Sequence, residues 1–365
     1  MYNFKKRYFL FKKNKSCDIL FYKNIKKLKI NTNYKIQNYN PKNINLYYLF
    51  KVVFFSILKF NFNLIKIKNL YFYEIIKSYN PKIFISNEIS LAGFRVKKIF
   101  PKIYCIVYQS AVFWDLQKDA VINKYSNLSC DYFLVYSKYF IDYFKTVNCQ
   151  FLVTGSIYNN SIKKQNIEKE FDIMFISEFR NTDNLKFKYP NEAWNHNNFS
   201  NVISGHIVKT LSEYAKKNNK KFTIAFSSNR FDKLNSISQE YEKQFYQKYS
   251  DNFLTNKDNS YYLADKTKLI ICLNSNLGPE LLSKNNKVLF INSVYFLTNW
   301  YFYNTKYNKI YLDKLDKYEI FKKIDELLSM DNYEWENYLS KIEKPLLYDK
   351  NNKLLIDLID KLINK

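Results

Sequence analysis

Residues Leu269 to Asn292 read LIICLNSNLGPELLSKNNKVLFIN: an apolar run, a polar turn, a short helical stretch and a second apolar run. The first run is too short for a helix and fits a buried strand. Leu277 then opens a helix, and Glu280 in its first turn puts a carboxylate at the positive helix end. Strands that stay apolar throughout and alternate with helices belong to a parallel sheet covered on both faces. The start of such a helix faces the carboxyl end of the sheet and can hold a phosphate. Asn274, Ser275, Asn276, Leu277 and Gly278 are therefore candidate phosphate contacts. Ser275 and Asn276 offer cap side chains. Gly278, one of only four glycines, would let the backbone come close to a ligand. Glu280 would accept hydrogen bonds from sugar hydroxyls. A plain capped helix explains the same residues about as well. The Gly-Lys-Ser/Thr element of a P-loop is absent.

The same alternation extends in both directions. Downstream of a polar stretch, Asn159 to Glu170, strands are expected at Phe171–Ser177, Lys221–Ser227, Asn252–Leu254, Lys268–Leu273 and Lys287–Ile291. Helices fit Val202–Lys217, Gln239–Lys248, Lys317–Met330, Tyr333–Lys341 and Lys353–Ile363. Upstream, strands are expected at Lys82–Ser86, Ile103–Tyr108, Tyr132–Tyr136 and Phe151–Thr154, with Asp18–Tyr22 as a further strand. Helices are expected at Glu88–Phe100, Asp119–Leu128 and Lys138–Val147. The fold class is thus α/β, with two Rossmann-like domains. Their expected limits are 1–160 and 161–345, followed by a terminal helix, 346–365. Open sheets of this kind bind ligands beyond the carboxyl ends of their strands.

Composition limits the reading further. The chain has 365 residues and a net charge of +25, and only Arg7, Arg95, Arg180 and Arg230 are arginine. Lysine spread this evenly is first a solvated surface, and it favours anionic partners. Cys17, Cys105, Cys130, Cys149 and Cys272 form no CxxC pair and read as reduced thiols, which points to the cytoplasm. The N-terminal stretch lacks the pattern of a signal peptide. Leu46 to Phe60 is the most apolar segment, but Lys51 and Lys59 interrupt it, so a membrane span is excluded. A core helix is expected there, with a peripheral contact at the inner membrane face as the alternative.

Other strand ends carry chemistry too. Ser177, Glu178 and Arg180 follow one strand, and Arg230 follows the next. Arginine forks suit bidentate phosphate binding. Ser260 and Tyr261 begin a helix, and Tyr261 could stack on a base. In the first domain, Gln109 and Ser110 follow a strand on the acceptor side. Glu88 and Asp115 are the carboxylates best placed to act as a general base. Each also reads as a helix-start carboxylate. No HxH or HExxH pattern is present, so a zinc site is not expected, and no cofactor is expected either.

Gln109–Ser110, CDYFLVYSKYFIDYF, FLVTGSIYNN, FDIMFISEFR and SYYLADKTKLIICLNSNLGPELLSKNNKVLFIN occur in this order. Together they resemble bacterial surface-carbohydrate biosynthesis proteins of the GT-B glycosyltransferase superfamily, over about Pro81 to Asn292. The resemblance implies two Rossmann-like domains facing across a cleft, with the nucleotide-sugar donor on the C-terminal domain and the acceptor on the N-terminal one. It implies that residues 274–278 meet the donor phosphate, with Glu280 nearby. Ser177, Glu178, Arg180 and Arg230 would line the donor side, and the terminal helix would cross back. Two features depart from the pattern. Gln109–Ser110–Ala111 stands where relatives often have a QHG-like turn. Val288 stands eight residues after Glu280, where many retaining enzymes have a second glutamate, so the stereochemistry is unassigned.

The expected function is a metal-independent transfer of a sugar from a nucleotide sugar to a glycan or lipid-linked precursor of a surface polysaccharide, in the cytoplasm. A nucleotide-sugar epimerase of the same architecture is the enzyme alternative. A basic nucleic-acid-binding protein is the non-enzyme alternative, although no helix-turn-helix or aromatic-basic RNA motif appears.

Overall fold

The computed structural model describes residues 8–10, 14–22, 34–41, 43–58, 63–113, 117–179, 196–227, 236–254, 258–291 and 309–365. The chain divides into two compact units. One comprises Met1–Ala111, Asp119–Ser161 and Asp349–Lys365, and the other Val112–Lys118 and Ile162–Tyr348.

The first unit contains β1 (Tyr8–Leu10), β2 (Ile19–Tyr22), β3 (Ile36–Tyr39), β4 (Asn43–Asn45), α1 (Leu46–Leu58), α2 (Leu64–Tyr79) and β5 (Ile83–Asn87). It continues with α3 (Ala92–Ile99), β6 (Tyr104–Tyr108), α4 (Lys118–Tyr125), β7 (Ser129–Val135), β8 (Asn148–Val153) and α5 (Ile157–Ser161). Six strands form one sheet in the order β3-β2-β5-β6-β7-β8, and every neighbouring pair is parallel. Ile83, Phe84, Ile85, Ile106 and Val107 are buried, as strands sandwiched between helices require. From β2 the chain first steps outward to β3 and later returns to the other side at β5. The order therefore reverses between β2 and β5.

The second unit contains β9 (Phe171–Ile176), α6 (His196–Lys217), β10 (Phe222–Ala225), α7 (Ser236–Gln247), α8 (Ser260–Asp265) and β11 (Thr267–Cys272). It ends with α9 (Leu277–Ser283), β12 (Val288–Ile291), β13 (Tyr311–Leu312), α10 (Lys317–Ser329) and α11 (Asn332–Ser340). Its sheet is also parallel, in the order β10-β9-β11-β12-β13, so the reversal here lies between β9 and β11. The last helix, α12 (Lys353–Ile363), crosses back to the first unit. There Leu355, Leu358, Ile359 and Leu362 pack with Ile19, Ile83, Ile85 and Ile106. The doubly wound α/β architecture read from the sequence is the one observed.

A glycine sits second in the helix after a central strand in each unit. A Cβ on Gly278 would come 2.4 Å from Cys272 Sγ and 2.8 Å from Phe290 Cε1. A Cβ on Gly93 would come 2.7 Å from Val107 Cγ2 and 2.8 Å from Ser86 Oγ. Both glycines let a helix lie tight on its sheet. At Gly278 the close approach expected of a ligand is made instead by the protein's own strands.

Several elements differ from expectation. Glu88–Phe100 is not one helix but a 3-10 turn, Glu88–Ser90, followed by α3. Leu91 separates them at φ 53°, a left-handed conformation that crowds its β carbon. Lys138–Tyr143 is a 3-10 helix rather than an α-helix. Leu254 makes only an isolated bridge to Thr223. In α1 only Tyr48, Val52 and Ser56 are buried, so the expected core helix is instead a largely exposed one.

Candidate functional site

Open parallel sheets bind ligands where the strand order reverses, because neighbouring connections leave in opposite directions and open a crevice. In the second unit that place is set by the ends of β9 and β11. Ser177 and Glu178 follow β9, and Asn274 and Ser275 follow β11. The Glu178 carboxylate accepts the N–H of Asn274, which joins the two strand ends. The Oδ1 of Asn274 is buried and has no hydrogen-bond partner among the described residues.

Ser177 is turned inward. Its hydroxyl bonds to the Glu242 carboxylate and lies 2.7 Å from the Tyr246 hydroxyl. Glu242 is 1% exposed and also accepts the N–H of Ser227 at 2.8 Å and its hydroxyl at 3.1 Å. Burial holds the Tyr246 phenol far above its usual range, and the charge of Glu242 adds to this. This buried network fixes the ends of β9 and β10. Glu242 was not among the residues picked from the sequence. Its signal was a carboxylate on the same helical stripe as Phe245, Tyr246 and Tyr249.

The start of α9 offers fewer donors than expected. Leu277 N–H points to Ser275 Oγ at 3.4 Å, Gly278 N–H bonds Ser275 O at 3.1 Å, and Pro279 has no N–H. The Asn276 side chain makes no cap, and its Oδ1 accepts the N–H of Val112 at 3.1 Å. Glu280 is buried and accepts the Tyr261 hydroxyl. Tyr261 is buried as well, with its N–H capped by Asn259 Oδ1 at 3.0 Å, and Ser260 beside it is buried at the head of α8. Lys284 covers the Tyr261 ring at 5.2 Å and donates to Ile162 O at 2.8 Å. Burial lowers the Lys284 ammonium to about 8, against the pull of the Asp265 and Glu280 carboxylates. Ser260, Tyr261 and Glu280 thus form an internal cluster, and Tyr261 presents no open face for a base. Lys284 was also missed, since one lysine in so lysine-rich a sequence carries no signal.

In the first unit Glu88 lies one residue beyond β5, at the reversal between β2 and β5. It is 0% exposed. Its Oε1 accepts Ser110 N–H at 3.1 Å and Ser110 Oγ at 3.0 Å. Its Oε2 is buried without a hydrogen-bond partner among the described residues. Burial raises the carboxyl to about 7, although the Ser110 hydrogen bonds and the nearby N–H groups of Glu88 and Ile89 pull it down. Gln109 serves the scaffold: its Oε1 accepts Tyr136 N–H at 3.0 Å, and its Nε2 donates to Ala111 O at 2.8 Å. Asp115, Arg180 and Arg230 lie outside the described residues.

Two parallel-sheet, Rossmann-like units with polar residues gathered at the sheet reversals define an α/β protein of the GT-B-like class. The chain belongs to the family described as "putative O-antigen biosynthesis protein", whose family model matches residues 112–363. No curated protein matches the sequence. Among solved structures, it is similar to a "putative UDP-N-acetylglucosamine 2-epimerase" of Listeria monocytogenes (TM-score 0.56, 9% identity), covering 95% of this chain and 97% of that one. It is also similar to the UDP-GlcNAc 2-epimerase of Methanocaldococcus jannaschii (TM-score 0.51, 10% identity, 95% and 99% covered). A third is the Neisseria meningitidis UDP-GlcNAc 2-epimerase bound to UDP-GlcNAc (TM-score 0.51, 12% identity, 94% and 99% covered). At such identities the likeness is one of fold.

Proposed function

We propose that this protein is a glycosyltransferase of surface-polysaccharide assembly. It takes a nucleotide-sugar donor on its second unit and activates an acceptor hydroxyl on its first. The observation that carries this reading is the coincidence of both candidate sets with the strand-order reversals. Membership of an O-antigen biosynthesis family supports the pathway class.

On the donor side, Glu178, Asn274 and Ser275 line the reversal between β9 and β11. Arg180 and Arg230 follow β9 and β10 in sequence and would supply bidentate contacts to the diphosphate. Positive side chains of this kind stabilise the leaving nucleotide without a metal. Ser177, Ser260, Tyr261 and Glu280, buried within the second unit, support this site, and Gln109 supports the acceptor side.

On the acceptor side, Glu88 is sealed from solvent and acts through Ser110, which is half-buried. The acceptor hydroxyl passes its proton to Ser110 Oγ as Ser110 passes its own to Glu88 Oε1. The acceptor oxygen then forms the bond to the sugar's anomeric carbon, and the nucleotide leaves with the electrons of the broken bond. A carboxyl near 7 is suited to this work at neutral pH.

The test supplies UDP, GDP, CDP and CMP sugars with and without a lipid-linked glycan. Nucleotide release is expected only when both substrates are present. Glu88→Gln should lower the rate about 10²–10⁴-fold, the usual worth of a general base, and leave nucleotide affinity intact. Isomerisation of the sugar without an acceptor would instead identify an epimerase. Salt-sensitive binding of nucleic acid with no nucleotide-sugar binding would sink both enzyme readings.

A further inference from the structure

The α1–α2 hairpin leaves an unusual surface in water. Large apolar residues stand exposed on both helices: Phe50, Phe54, Phe55 and Leu58 on α1, and Leu64 and Ile65 at the start of α2. Leu64 is 81% exposed and Ile65 72%. Monomeric proteins seldom keep so many adjoining apolar side chains in water unless they bind something. Only the narrow stripe Tyr48, Val52 and Ser56 of α1 is buried, and Lys51 ties the base of the hairpin to Glu74 at 2.7 Å.

We propose that these exposed residues of α1 and the start of α2 dock on an anionic lipid bilayer. The charge of the segment selects this occupant. Leu46–Tyr79 carries five lysines and a single acidic residue, Glu74, which is already paired with Lys51. Lys68 is exposed among the apolar residues. The core of a protein–protein interface is depleted in lysine, so a second copy fits poorly. Apolar and aromatic residues bordered by lysine are what an interfacial helix presents to acyl chains and acidic headgroups. The hairpin lies on the surface rather than crossing it. The 13 residues of α1 reach about 20 Å, short of a hydrocarbon core about 30 Å thick. No helix among the described residues is long and apolar enough to span.

The test is cosedimentation of the full chain with vesicles of phosphatidylcholine alone or mixed equally with phosphatidylglycerol. Binding is expected to the mixed vesicles and to fall as salt rises. Leu64→Glu and Phe54→Glu should each weaken it roughly tenfold, the scale of one apolar side chain returned to water, without changing thermal unfolding. Lys68→Glu should weaken it roughly fivefold or more at low salt. Wild-type protein that ignores the mixed vesicles, or binding indifferent to these variants, overturns the proposal. So does a dimer in vesicle-free sedimentation equilibrium that Leu64→Glu dissociates. Nucleotide-sugar titrations use no vesicles, so this proposal and the enzymatic reading fail separately.

Discussion

The two sheet reversals handle their carboxylates in opposite ways. In the second unit, Glu178, Glu242 and Glu280 each hold a donor from the protein itself. In the first unit Glu88 uses one oxygen for Ser110 and leaves the other without a hydrogen-bond partner among the described residues. A buried polar atom left unpaired costs free energy. A carboxylate that bears this cost at a strand-order reversal is a stronger functional candidate than three that are satisfied. By this criterion Glu242 and Glu280 are scaffold, Glu178 lines the donor site with its charge already engaged, and Glu88 is the candidate base.

The comparison is broken most directly at Glu242. Glu242→Ala strands the Ser227 N–H, leaves the Ser227 hydroxyl only the Phe179 carbonyl, and removes one partner of Ser177. A loss of about 3–5 kcal/mol is expected from urea unfolding, with Glu242→Gln keeping much of it. A loss under about 1 kcal/mol would mean that these donors reach water and the network is not scaffold.

The pH dependence should differ in sign between the units. Glu88 rises from 4.5 to about 7 on folding, so the folded protein binds its proton more tightly. The resulting stability is whole below about pH 4.5 and is lost as pH rises through about 7, a fall of about 3 kcal/mol. Lys284 drops from 10.5 to about 8, so the unfolded chain holds that proton more tightly. Its penalty is whole below about pH 8 and is relieved as pH climbs toward 10.5. Unfolding measured across pH should lose the first slope in Glu88→Gln and the second in Lys284→Met. A slope that survives its mutation belongs to another group.

A smaller effect is expected at the helix contact. Gly278→Ala should cost about 1–3 kcal/mol by overpacking against Cys272 and Phe290. Adding Cys272→Ala should restore part of it, since the sulfur is the nearer obstacle. Full tolerance of Gly278→Ala would return the glycine to a ligand role. A comparable effect is expected of Tyr261→Phe, about 1.5–3 kcal/mol from its hydrogen bond to the buried Glu280 carboxylate, with nucleotide affinity unchanged.

The architecture was legible because parallel strands buried on both faces must be apolar along their whole length, and IYCIVY or LIIC admit little else. Strand β3, IQNY, was missed because it is an edge strand with Gln37 and Asn38 exposed. The break at Leu91 was illegible because leucine gives no warning of a left-handed residue. Strand ends marked where polar groups would gather, and Glu88, Glu178 and Asn274 do stand at reversals. Sequence could not say which side chains would turn inward. That depends on partners such as Glu242, which lies 65 residues from Ser177 in the chain.

The most direct test is calorimetric titration of the full chain with UDP, GDP, CDP and CMP sugars. One nucleotide class should bind, and Asn274→Ala and Arg230→Ala should each weaken it, the latter by about 1.5–3 kcal/mol, the scale of a charge-assisted hydrogen bond. A folded wild-type protein that binds none of them contradicts the account.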